Sequence, residues 1–455
     1  MAAMAFIFKR IPFKISILLL SIYILLMPIE VFAYSIGKVV DFFTGKPLKG
    51  AIVVNDQSGF IEQTNEDGMF CIKSNSNKVT VRAHGYLRTE QSVIPLLAPT
   101  QEIKLFPFKP KALYLSFYGI GARSLRESAL KLIQETELNA LVIDMKGDRG
   151  MIPYKSSIPL ALEVGAQKIT TVKDMPELIK TLKEKSVYTI ARIVVFKDNL
   201  LALKMPALAI KTQRGEIWQD RENLSWVDPF KKEVWDYNIQ IAIEAAQYGF
   251  DEIQFDYVRF PEVPDLQYSM PNTGENRIKA ISDFLLEAKE RLKPYNVFLS
   301  ADIFGYVCWN LNDTFIGQKL EELTTHLDYL SPMLYPSGFQ YGIPGYRTPV
   351  ANPYEIVYLS LKRAQERSRL PPIRFRPWLQ AFRDYAFDKR WFKGQELRSQ
   401  IKAAEEFGSH GWMLWNPCNI YSQDGLNNQL GQKDKLDRIN SSLILNSLSL
   451  GALTF

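Results

Sequence analysis

The sequence predicts a (β/α)8 barrel preceded by a small all-β sandwich. From residue 111 onward, short apolar segments alternate with amphipathic segments that have a helical period. Eight such units follow one another, which is the number that closes a parallel barrel. Before residue 108 the chain instead shows short strand-like segments and glycine turns without a helical period. The segment 106–110, Phe-Pro-Phe-Lys-Pro, separates the two patterns and is predicted to be the linker.

Residues 1–33 have the pattern of a signal peptide. Lys9 and Arg10 precede an apolar run from Ile15 to Met27, and the small residue Ala33 ends a cleavage-site pattern. The run is short for a transmembrane helix, which needs about 20 residues. We therefore expect export to the periplasm, the cell envelope or the medium. If the segment is not cleaved, it becomes an N-terminal anchor, which is the only membrane contact expected.

Residues 34–108 are predicted to form the β-sandwich. Strand-like segments such as Ile36–Asp41 alternate with turns at Thr44–Pro47 and Asn65–Gly68. These turns, together with the pair Gly85-Tyr86, resemble those of the carboxypeptidase regulatory-like domains. The resemblance implies an accessory domain, and no chemistry is assigned to it.

Residues 111–430 are predicted to form the barrel, followed by a tail at 431–455. The predicted strands are Ala112–Phe117, Ala140–Met145, Tyr188–Phe196, Glu252–Tyr257, Val297–Ile303, Tyr329–Leu334, Phe375–Phe382 and Trp412–Trp415. The segments 147–172 and 199–228 are predicted loops after the second and third strands, where barrels build their sites. A doubly wound open sheet is the alternative, but no glycine-rich nucleotide-binding motif supports it.

Composition and residue spacing argue against several classes of function. The net charge is +6, but Lys and Arg are scattered, so no nucleic-acid-binding surface is predicted. The three histidines and three cysteines have no metal-ligand spacing, and neither a metal site nor a cofactor is predicted. An odd number of cysteines excludes a complete disulfide framework. Pairing of Cys308 with Cys418 is left open, with free thiols as the preferred interpretation.

The most informative stretch is residues 250–261, Phe-Asp-Glu-Ile-Gln-Phe-Asp-Tyr-Val-Arg-Phe-Pro. Its alternation predicts a strand with polar residues on one face and apolar or aromatic residues on the other. The polar face carries Glu252, Gln254 and Asp256. Such a strand suits the inside of a parallel barrel near its carboxyl end, where polar side chains meet a substrate. A charged edge strand is the structural alternative.

Polar and aromatic residues gather at the carboxyl ends of the predicted strands, where the active sites of barrel enzymes lie. Two aspartates, Asp256 and Asp302, end consecutive strands and are the candidate catalytic residues. The candidate substrate-binding residues are Asp144, Lys146, Arg192, Arg259, Tyr335, Trp378, Trp415 and Asn416.

The two aspartates suit glycoside hydrolysis, which needs one carboxyl group as acid and another as nucleophile or base. Neighbouring strands lie about 4.8 Å apart, which matches the carboxyl separation of about 5–5.5 Å in retaining enzymes. Trp378 and Trp415 are candidates for aromatic faces that stack on sugar rings. Arg259 is predicted to pair with Asp256 and to keep it ionised.

Each candidate also has a purely structural interpretation. Asp302 would then be a buried, hydrogen-bonded carboxylate, and Arg259 would belong to a structural ion pair. Asp144 would cap the following loop or pair with Lys146. Trp378 and Trp415 would fill the barrel.

Residues 249–261 closely resemble the hallmark segment of a bacterial glycoside hydrolase-like domain family, DUF4015. Supporting similarities lie at residues 139–146, 191–198, 226–229 and 330–336. The resemblance covers roughly residues 111–430. It implies a barrel near the α-amylase-type glycosidases, whose nucleophile is an Asp at the end of the fourth strand, the position of Asp256. The acid of those barrels is a Glu at the end of the fifth strand, where this chain has Asp302.

The sequence therefore predicts an exported glycoside hydrolase that acts on an envelope or extracellular polysaccharide without a cofactor. A catalytically inactive carbohydrate-binding barrel is the alternative, because the fifth strand lacks the expected Glu. A carbohydrate-modifying enzyme such as a deacetylase is a third possibility. The absence of histidine at the strand ends argues against its metal-dependent form.

Overall fold

The computed structural model describes residues 33–55, 59–74, 78–93 and 101–428. The predicted signal segment up to residue 32 and the predicted tail at 431–455 lie outside these described residues. Among the residues that are described, no helix combines the length and the apolar composition needed to cross a membrane.

Among the described residues before the barrel, seven short strands form two small sheets. They are β1 Ala33–Asp41, β2 Ile52–Asn55, β3 Ile61–Gln63, β4 Met69–Ser74, β5 Lys78–Arg82, β6 Thr89–Ser92 and β7 Gln101–Leu105. One sheet has the order β4-β1-β7 and the other β3-β2-β5-β6. Both sheets contribute to one apolar core, which includes Val39, Val53, Val81 and Ile103. The period-two burial of β5 and β7 is the pattern that makes this segment fold as sheets.

Eight parallel strands close the predicted barrel. They are β8 Lys111–Leu115, β9 Ala140–Lys146, β10 Tyr188–Val194, β11 Glu252–Asp256, β12 Phe298–Phe304, β13 Tyr329–Met333, β14 Trp378–Gln380 and β15 Trp412–Trp415. Each strand pairs with its neighbours in chain order, and β15 pairs with β8 to close the ring. The (β/α)8 prediction is therefore confirmed, and the doubly wound alternative is wrong.

Helices surround the strands and bury one face against them. Within the described residues they are α1 Phe117–Gly121, α2 Arg123–Glu135, α3 Pro159–Glu163, α4 Met175–Glu184, α5 Asn199–Lys204, α6 Lys232–Gln247, α7 Gly274–Leu292, α8 Leu320–Leu323, α9 Pro353–Ser368 and α10 Gln395–Phe407. Asp174 begins α4 by accepting a hydrogen bond from the N–H of Glu177. Thr273 begins α7 in the same way. The apolar helix faces and the outer faces of the strands form the largest core of the protein.

The strand β14 is shorter than the predicted strand Phe375–Phe382. Pro377 has no N–H to donate to a strand ladder, and β13 and β14 share a single residue pair, Met333 with Trp378. The short strand leaves residues 381–391 to form a loop at the carboxyl end of the barrel.

The polar face of β11 lies inside the barrel at three levels. Glu252 lies at the amino-terminal end, where both of its oxygens accept hydrogen bonds from Arg376, at 2.6 and 2.7 Å. Gln254, in the middle, donates to Ser331 Oγ at 3.2 Å. Asp256 ends the strand. Because β11 pairs on both sides, the edge-strand alternative is wrong.

Asp328, just before β13, joins the β-sandwich to the amino-terminal end of the barrel. Its Oδ1 accepts hydrogen bonds from Arg82 at 2.7 Å and lies 3.2 Å from His84 Nε2. Its Oδ2 accepts from the N–H of Leu299 at 2.9 Å. Burial alone would raise the pKa of Asp328, but the charge of Arg82 and the contact with His84 hold that pKa well below its ordinary value.

Arg82→Met is expected to lower the free energy of unfolding by about 2 kcal/mol, because it leaves the carboxylate of Asp328 without its main partner. A carboxylate with a lowered folded-state pKa stabilises the fold above its unfolded-state pKa and loses this contribution as pH falls through the folded value. The difference between wild type and variant should therefore shrink in acid. Denaturant unfolding at neutral and acid pH measures both effects.

Lys49→Met is the control, because Lys49 pairs with Glu66 on the exposed surface. Its effect should stay within about 0.5 kcal/mol. Equal losses in the two variants would contradict the role assigned to Arg82.

The three cysteine thiols are free. Cys308 is buried, whereas Cys71 and Cys418 are exposed. Burial raises the pKa of the Cys308 thiol to about 12. The Cys308–Cys418 pairing that the sequence left open does not form.

Candidate active site

Arg192 gathers three carboxyl groups at the carboxyl end of the barrel. It lies on β10, in register with Asp144 on β9 and with Gln254 on β11. Its Nη1 donates to Asp144 Oδ1 at 2.7 Å. Its Nε and Nη2 both donate to Asp256 Oδ2, at 2.9 and 2.5 Å. Asp302 Oδ2 lies 4.0 Å from Nε. The guanidinium is thus the common cation of these three groups.

Asp256 is paired with Arg192, so the predicted ion pair with Arg259 is wrong. Asp256 ends β11 and is 5% exposed. The guanidinium of Arg259 lies 5.1 Å from the ring centroid of Tyr257. Its Nη1 donates to the carbonyl of Phe260 at 3.2 Å. Arg259 is therefore held by the loop after β11 and not by the carboxylate cluster.

The turn after Asp256 accounts for this change of partner. Tyr257 has φ of 46°, in the left-handed region that an aromatic residue adopts only with strain. Its N–H donates to Asp256 Oδ1 at 2.6 Å. Strand alternation ends here, so the chain does not carry Arg259 to the carboxylates. The same turn places Tyr257 in the wall of the cleft.

Asp302 lies beside Asp256 on the adjacent strand. The register pairs Phe255 with Ala301, the residues immediately before the two aspartates. Trp378 Nε1 donates to Asp302 Oδ1 at 2.7 Å. Burial and the charge of Asp256 raise the pKa of Asp302 well above its ordinary value. The site therefore combines a carboxylate bonded to a cation with a carboxyl group whose protonated form is favoured.

Asp144 contacts the other side of the Arg192 guanidinium. Its Oδ2 accepts hydrogen bonds from the Tyr114 hydroxyl at 2.8 Å and from the N–H of Phe117 at 3.2 Å. Burial raises the pKa of Asp144, although the charge of Arg192 opposes that shift. The structure thus places Asp144 in the cluster, held by three donors.

A cavity of about 250 Å³ opens beside Asp144. Aromatic side chains form much of its wall, among them Tyr118, Tyr257 and Trp415. Trp415 stacks on Tyr114, with ring centroids 4.0 Å apart and an interplanar angle of 14°. Aromatic walls beside a few fixed polar groups are the surroundings in which sugar rings bind.

Tyr335 lies near the catalytic candidates, at the start of the loop after β13. Its side chain is half-buried, and its ring meets that of Phe382 edge-on at 5.6 Å. Burial and the charges of Asp302 and Asp256 raise the pKa of its phenol well above the ordinary value. The structure thus places Tyr335 near the carboxylates, and its substrate-binding role stays a prediction.

Three other predicted residues do not reach the cleft as sugar-binding groups. Lys146 is fully buried, and its Nζ donates to Asp198 Oδ2 at 2.6 Å. Trp378 is 1% exposed and bonded to Asp302, so it positions that carboxyl group and has no free face for a sugar. Asn416 donates to two loop carbonyls and holds the segment after β15. These three side chains therefore stabilise the site from positions outside the cleft.

Sequence reasoning missed three aromatic residues of the cleft, Tyr114, Tyr118 and Tyr257. Tyr114 occupies an inward position of β8, two residues after Ala112, which also faces the inner core. Strand alternation was the signal that could have identified it. Tyr118 and Tyr257 follow strand ends, and their direction depends on turns that the sequence pattern does not specify.

Within the described part of the chain, no group of three or more His, Cys, Asp or Glu side chains is arranged to hold a metal ion. The clustered aspartates share the guanidinium of Arg192 as their cation.

Comparisons with solved structures relate this barrel to known proteins. A hypothetical protein from Ruminiclostridium thermocellum is 39% identical, over 42% of this chain and 96% of its own, with a TM-score of 0.38. The glycoside hydrolase domain of PgaB (BpsB) from Bordetella bronchiseptica is 14% identical, over 69% of this chain and 95% of its own. Its TM-score of 0.51 indicates a shared fold. The spore cortex-lytic enzyme SleL from Bacillus cereus is 13% identical, over 83% of this chain and 96% of its own, with a TM-score of 0.42.

The sequence comparisons give the family. No curated protein matches the chain significantly. The profile of the putative glycosyl hydrolase domain family, DUF4015, matches residues 112–421, which include all but the first residue of the barrel strands. Because this match spans well over half of the chain, the protein belongs to the DUF4015 family of putative glycosyl hydrolase domains.

Proposed function

We propose that the barrel hydrolyses glycosidic bonds in an envelope or extracellular polysaccharide. The observation that carries the proposal is the pair formed by Asp256 and Asp302. Asp256 is bonded twice to Arg192, and the pKa of Asp302 is raised by burial and by Asp256. Two carboxyl groups whose environments differ in this way suit the roles of nucleophile and acid. Membership of a glycosyl hydrolase family supports the same class of reaction.

In the proposed reaction, the carboxylate of Asp256 attacks the anomeric carbon while Asp302 gives its proton to the glycosidic oxygen. The bond from the anomeric carbon to that oxygen breaks, and a glycosyl ester forms on Asp256. Asp302, now ionised, then takes a proton from a water molecule whose oxygen attacks the anomeric carbon and releases Asp256. Both carboxyl groups approach one guanidinium nitrogen, within 2.9 and 4.0 Å, and this closeness supports a retaining double displacement.

The surrounding residues receive supporting roles in this proposal. Arg192 donates two hydrogen bonds to Asp256 and fixes one of its oxygens. Trp378 orients Asp302 through its indole N–H. Asp144, Trp415 and the neighbouring tyrosines would bind the sugar beside the reacting bond.

A carbohydrate-binding barrel without catalysis is the second candidate. The observation in its favour is that Asp302 is only 1% exposed. A general acid has to come within hydrogen-bond reach of the glycosidic oxygen. The proposed reaction thus requires the side chains around Asp302 to part when substrate binds. A binding protein would use the aromatic cavity without that movement.

Hydrolysis in water enriched in oxygen-18 tests the proposed reaction directly. Envelope polysaccharides are incubated with the mature protein, and the products are analysed by mass spectrometry. Hydrolysis places one heavy oxygen on each new reducing end. Products without the label would indicate another cleavage chemistry, and unchanged polymer with measurable binding would favour the binding protein.

The activity is expected to fall as pH rises through the raised pKa of Asp302, because the acid loses its proton. Asp302→Asn should lower kcat/KM by about 10²–10⁴-fold and remove this alkaline limb. A carboxyl group with a raised folded-state pKa destabilises the fold as pH rises from the unfolded value toward the folded one. Asp302→Asn should therefore gain stability relative to wild type as pH rises. Rate profiles and denaturant unfolding measure the two effects, and an unchanged alkaline limb in the variant would contradict this assignment.

We also propose that the protein is exported and that the β-sandwich is an accessory domain. The basic and apolar pattern of residues 1–33 supports export. The sandwich contacts the barrel through Asp328, near the amino-terminal end of β13. This position leaves the carboxyl end, with the carboxylates, open to a polymer.

A further inference from the structure

We propose that the barrel mouth binds an extended polysaccharide chain, with an aromatic ledge on the side opposite the Asp144 cavity. The aromatic ledge consists of Tyr335, Phe382 and Tyr385. This inference rests on the proposed function and specifies its substrate as a polymer that crosses the carboxylates. Neither the family match nor the structural comparisons assign a role to these three residues.

The strand order places the cavity and the ledge across the barrel from each other. The ring runs β10-β11-β12-β13-β14-β15-β8-β9, so β13 stands opposite β9. Asp144 lies near the end of β9, whereas Tyr335 follows β13 and Phe382 follows β14. Asp256 ends β11 and Asp302 lies two residues before the end of β12, and both strands stand between β9 and β13. A chain that runs from the cavity to the ledge therefore passes the carboxyl pair.

The rings of the ledge form a continuous path away from the carboxylates. Tyr335 meets Phe382 edge-on, with ring centroids 5.6 Å apart. Phe382 and Tyr385 are nearly parallel, with centroids 6.3 Å apart and an interplanar angle of 5°. Tyr385 at the outer end is 54% exposed. Aromatic faces next to a polar cleft suit the C–H faces of successive sugar rings.

The loop that carries Tyr385 is held rigid by a buried aspartate. Asp384 accepts hydrogen bonds from Ser337 Oγ at 2.7 Å and from the N–H groups of Ala386, Phe387 and Lys389 at 2.8 to 3.1 Å. Burial would raise the pKa of Asp384, but these hydrogen bonds lower it to about 2. An exposed aromatic ring on a fixed loop loses little conformational entropy when a ligand stacks on it.

The far side of the mouth also ends in an exposed aromatic ring. Tyr118 lines the Asp144 cavity and is 61% exposed. The mouth thus carries aromatic surface on both sides of the carboxyl pair. This arrangement favours an enzyme that binds within a polymer over one that holds only a terminal sugar.

Tyr385→Ala tests the ledge in the full-length protein. KM is measured for the polysaccharide that the wild type cleaves and for a disaccharide with a chromogenic leaving group. KM for the polymer is expected to rise about fivefold to tenfold more than KM for the disaccharide, because the variant loses one stacking contact with the polymer. Tyr385→Trp keeps an aromatic face and should restore polymer KM. Equal changes in KM for both substrates, or an unchanged KM for the polymer, would contradict the proposed role of the ledge.

Tyr34→Ala is the matched control, because Tyr34 is an exposed tyrosine on β1 of the sandwich. It should leave both KM values unchanged. If the wild type cleaves no polymer, calorimetry with disaccharides through hexasaccharides of the cello and chito series tests the ledge separately. Affinity should then rise with chain length in the wild type and not in Tyr385→Ala. Absent binding, or binding that does not depend on Tyr385, would contradict the proposed role of the ledge.

Discussion

Asp256→Asn is expected to reduce kcat by at least about 10³-fold while leaving the fold and sugar binding intact. The amide has nearly the shape of the carboxylate but cannot attack the anomeric carbon as a nucleophile. Arg192 loses an ionic partner but keeps Asp144, with which it forms a 2.7 Å contact. The measurement is kcat on a cleaved polysaccharide, together with circular dichroism and oligosaccharide affinity.

Asp265→Asn is the matched control for this substitution. Asp265 lies on an exposed loop after β11, where the substitution makes the same chemical change. Its backbone is in the left-handed conformation, which Asn also adopts. Its kcat should equal that of the wild type. A residual rate in Asp256→Asn within about tenfold of wild type would contradict the nucleophile role, since general acid catalysis and binding alone would then explain the activity.

Arg192→Met is expected to destabilise the protein by about 3–5 kcal/mol at neutral pH. The substitution leaves Asp144 and Asp256 buried without their cation. The charge of Arg192 opposes the burial that raises the pKa of Asp144, so removing that charge should raise the folded-state pKa of Asp144 further. The penalty should therefore fall as pH decreases toward the unfolded value. Denaturant unfolding across this pH range measures the loss and its recovery.

Arg291→Met provides the comparison for this variant. Arg291 pairs with Asp236, and both side chains are half-buried. The free energy of unfolding of Arg291→Met should fall by less than about 1 kcal/mol, and this decrease should vary little with pH. If Arg192→Met proved as stable as Arg291→Met at neutral pH, the guanidinium would not be the cation that compensates the carboxyl cluster.

The barrel and its central aspartates were predictable because strand alternation and strand order can be derived from the sequence without knowing how the loops fold. Asp144, Arg192 and Asp256 lie on inward strand positions whose register follows from parallel pairing. The same rule predicts an inward position for Asp302 on the next strand, β12. The period of two therefore located the charged centre of the site.

Lys146 was misplaced because a β-bulge interrupts that period. The pairing of β9 with β10 shifts next to Arg192, so that Met145 is an extra residue in β9. Strict alternation would put Asp144 and Lys146 on the same face, but a bulge turns the second residue away. Lys146 instead lies 5.4 Å from the ring of Tyr237 on α6.

Arg259 and Trp378 show two further limits of the sequence pattern. The left-handed turn at Tyr257 redirects the chain before Arg259 can reach Asp256. Trp378 does face the inside of the barrel, but its indole N–H is satisfied by Asp302 and its faces are covered. A sequence pattern gives the direction of a strand residue, whereas its exposure depends on the packing of the neighbouring strands.

Release of reducing ends from a panel of envelope polysaccharides, by the mature wild type and by Asp256→Asn, tests the central claim most directly. The account predicts release by the wild type and loss of at least about 10³-fold in the variant, with oligosaccharide binding retained. Measurable binding without release by the wild type from any polymer would contradict the claim and favour a carbohydrate-binding barrel.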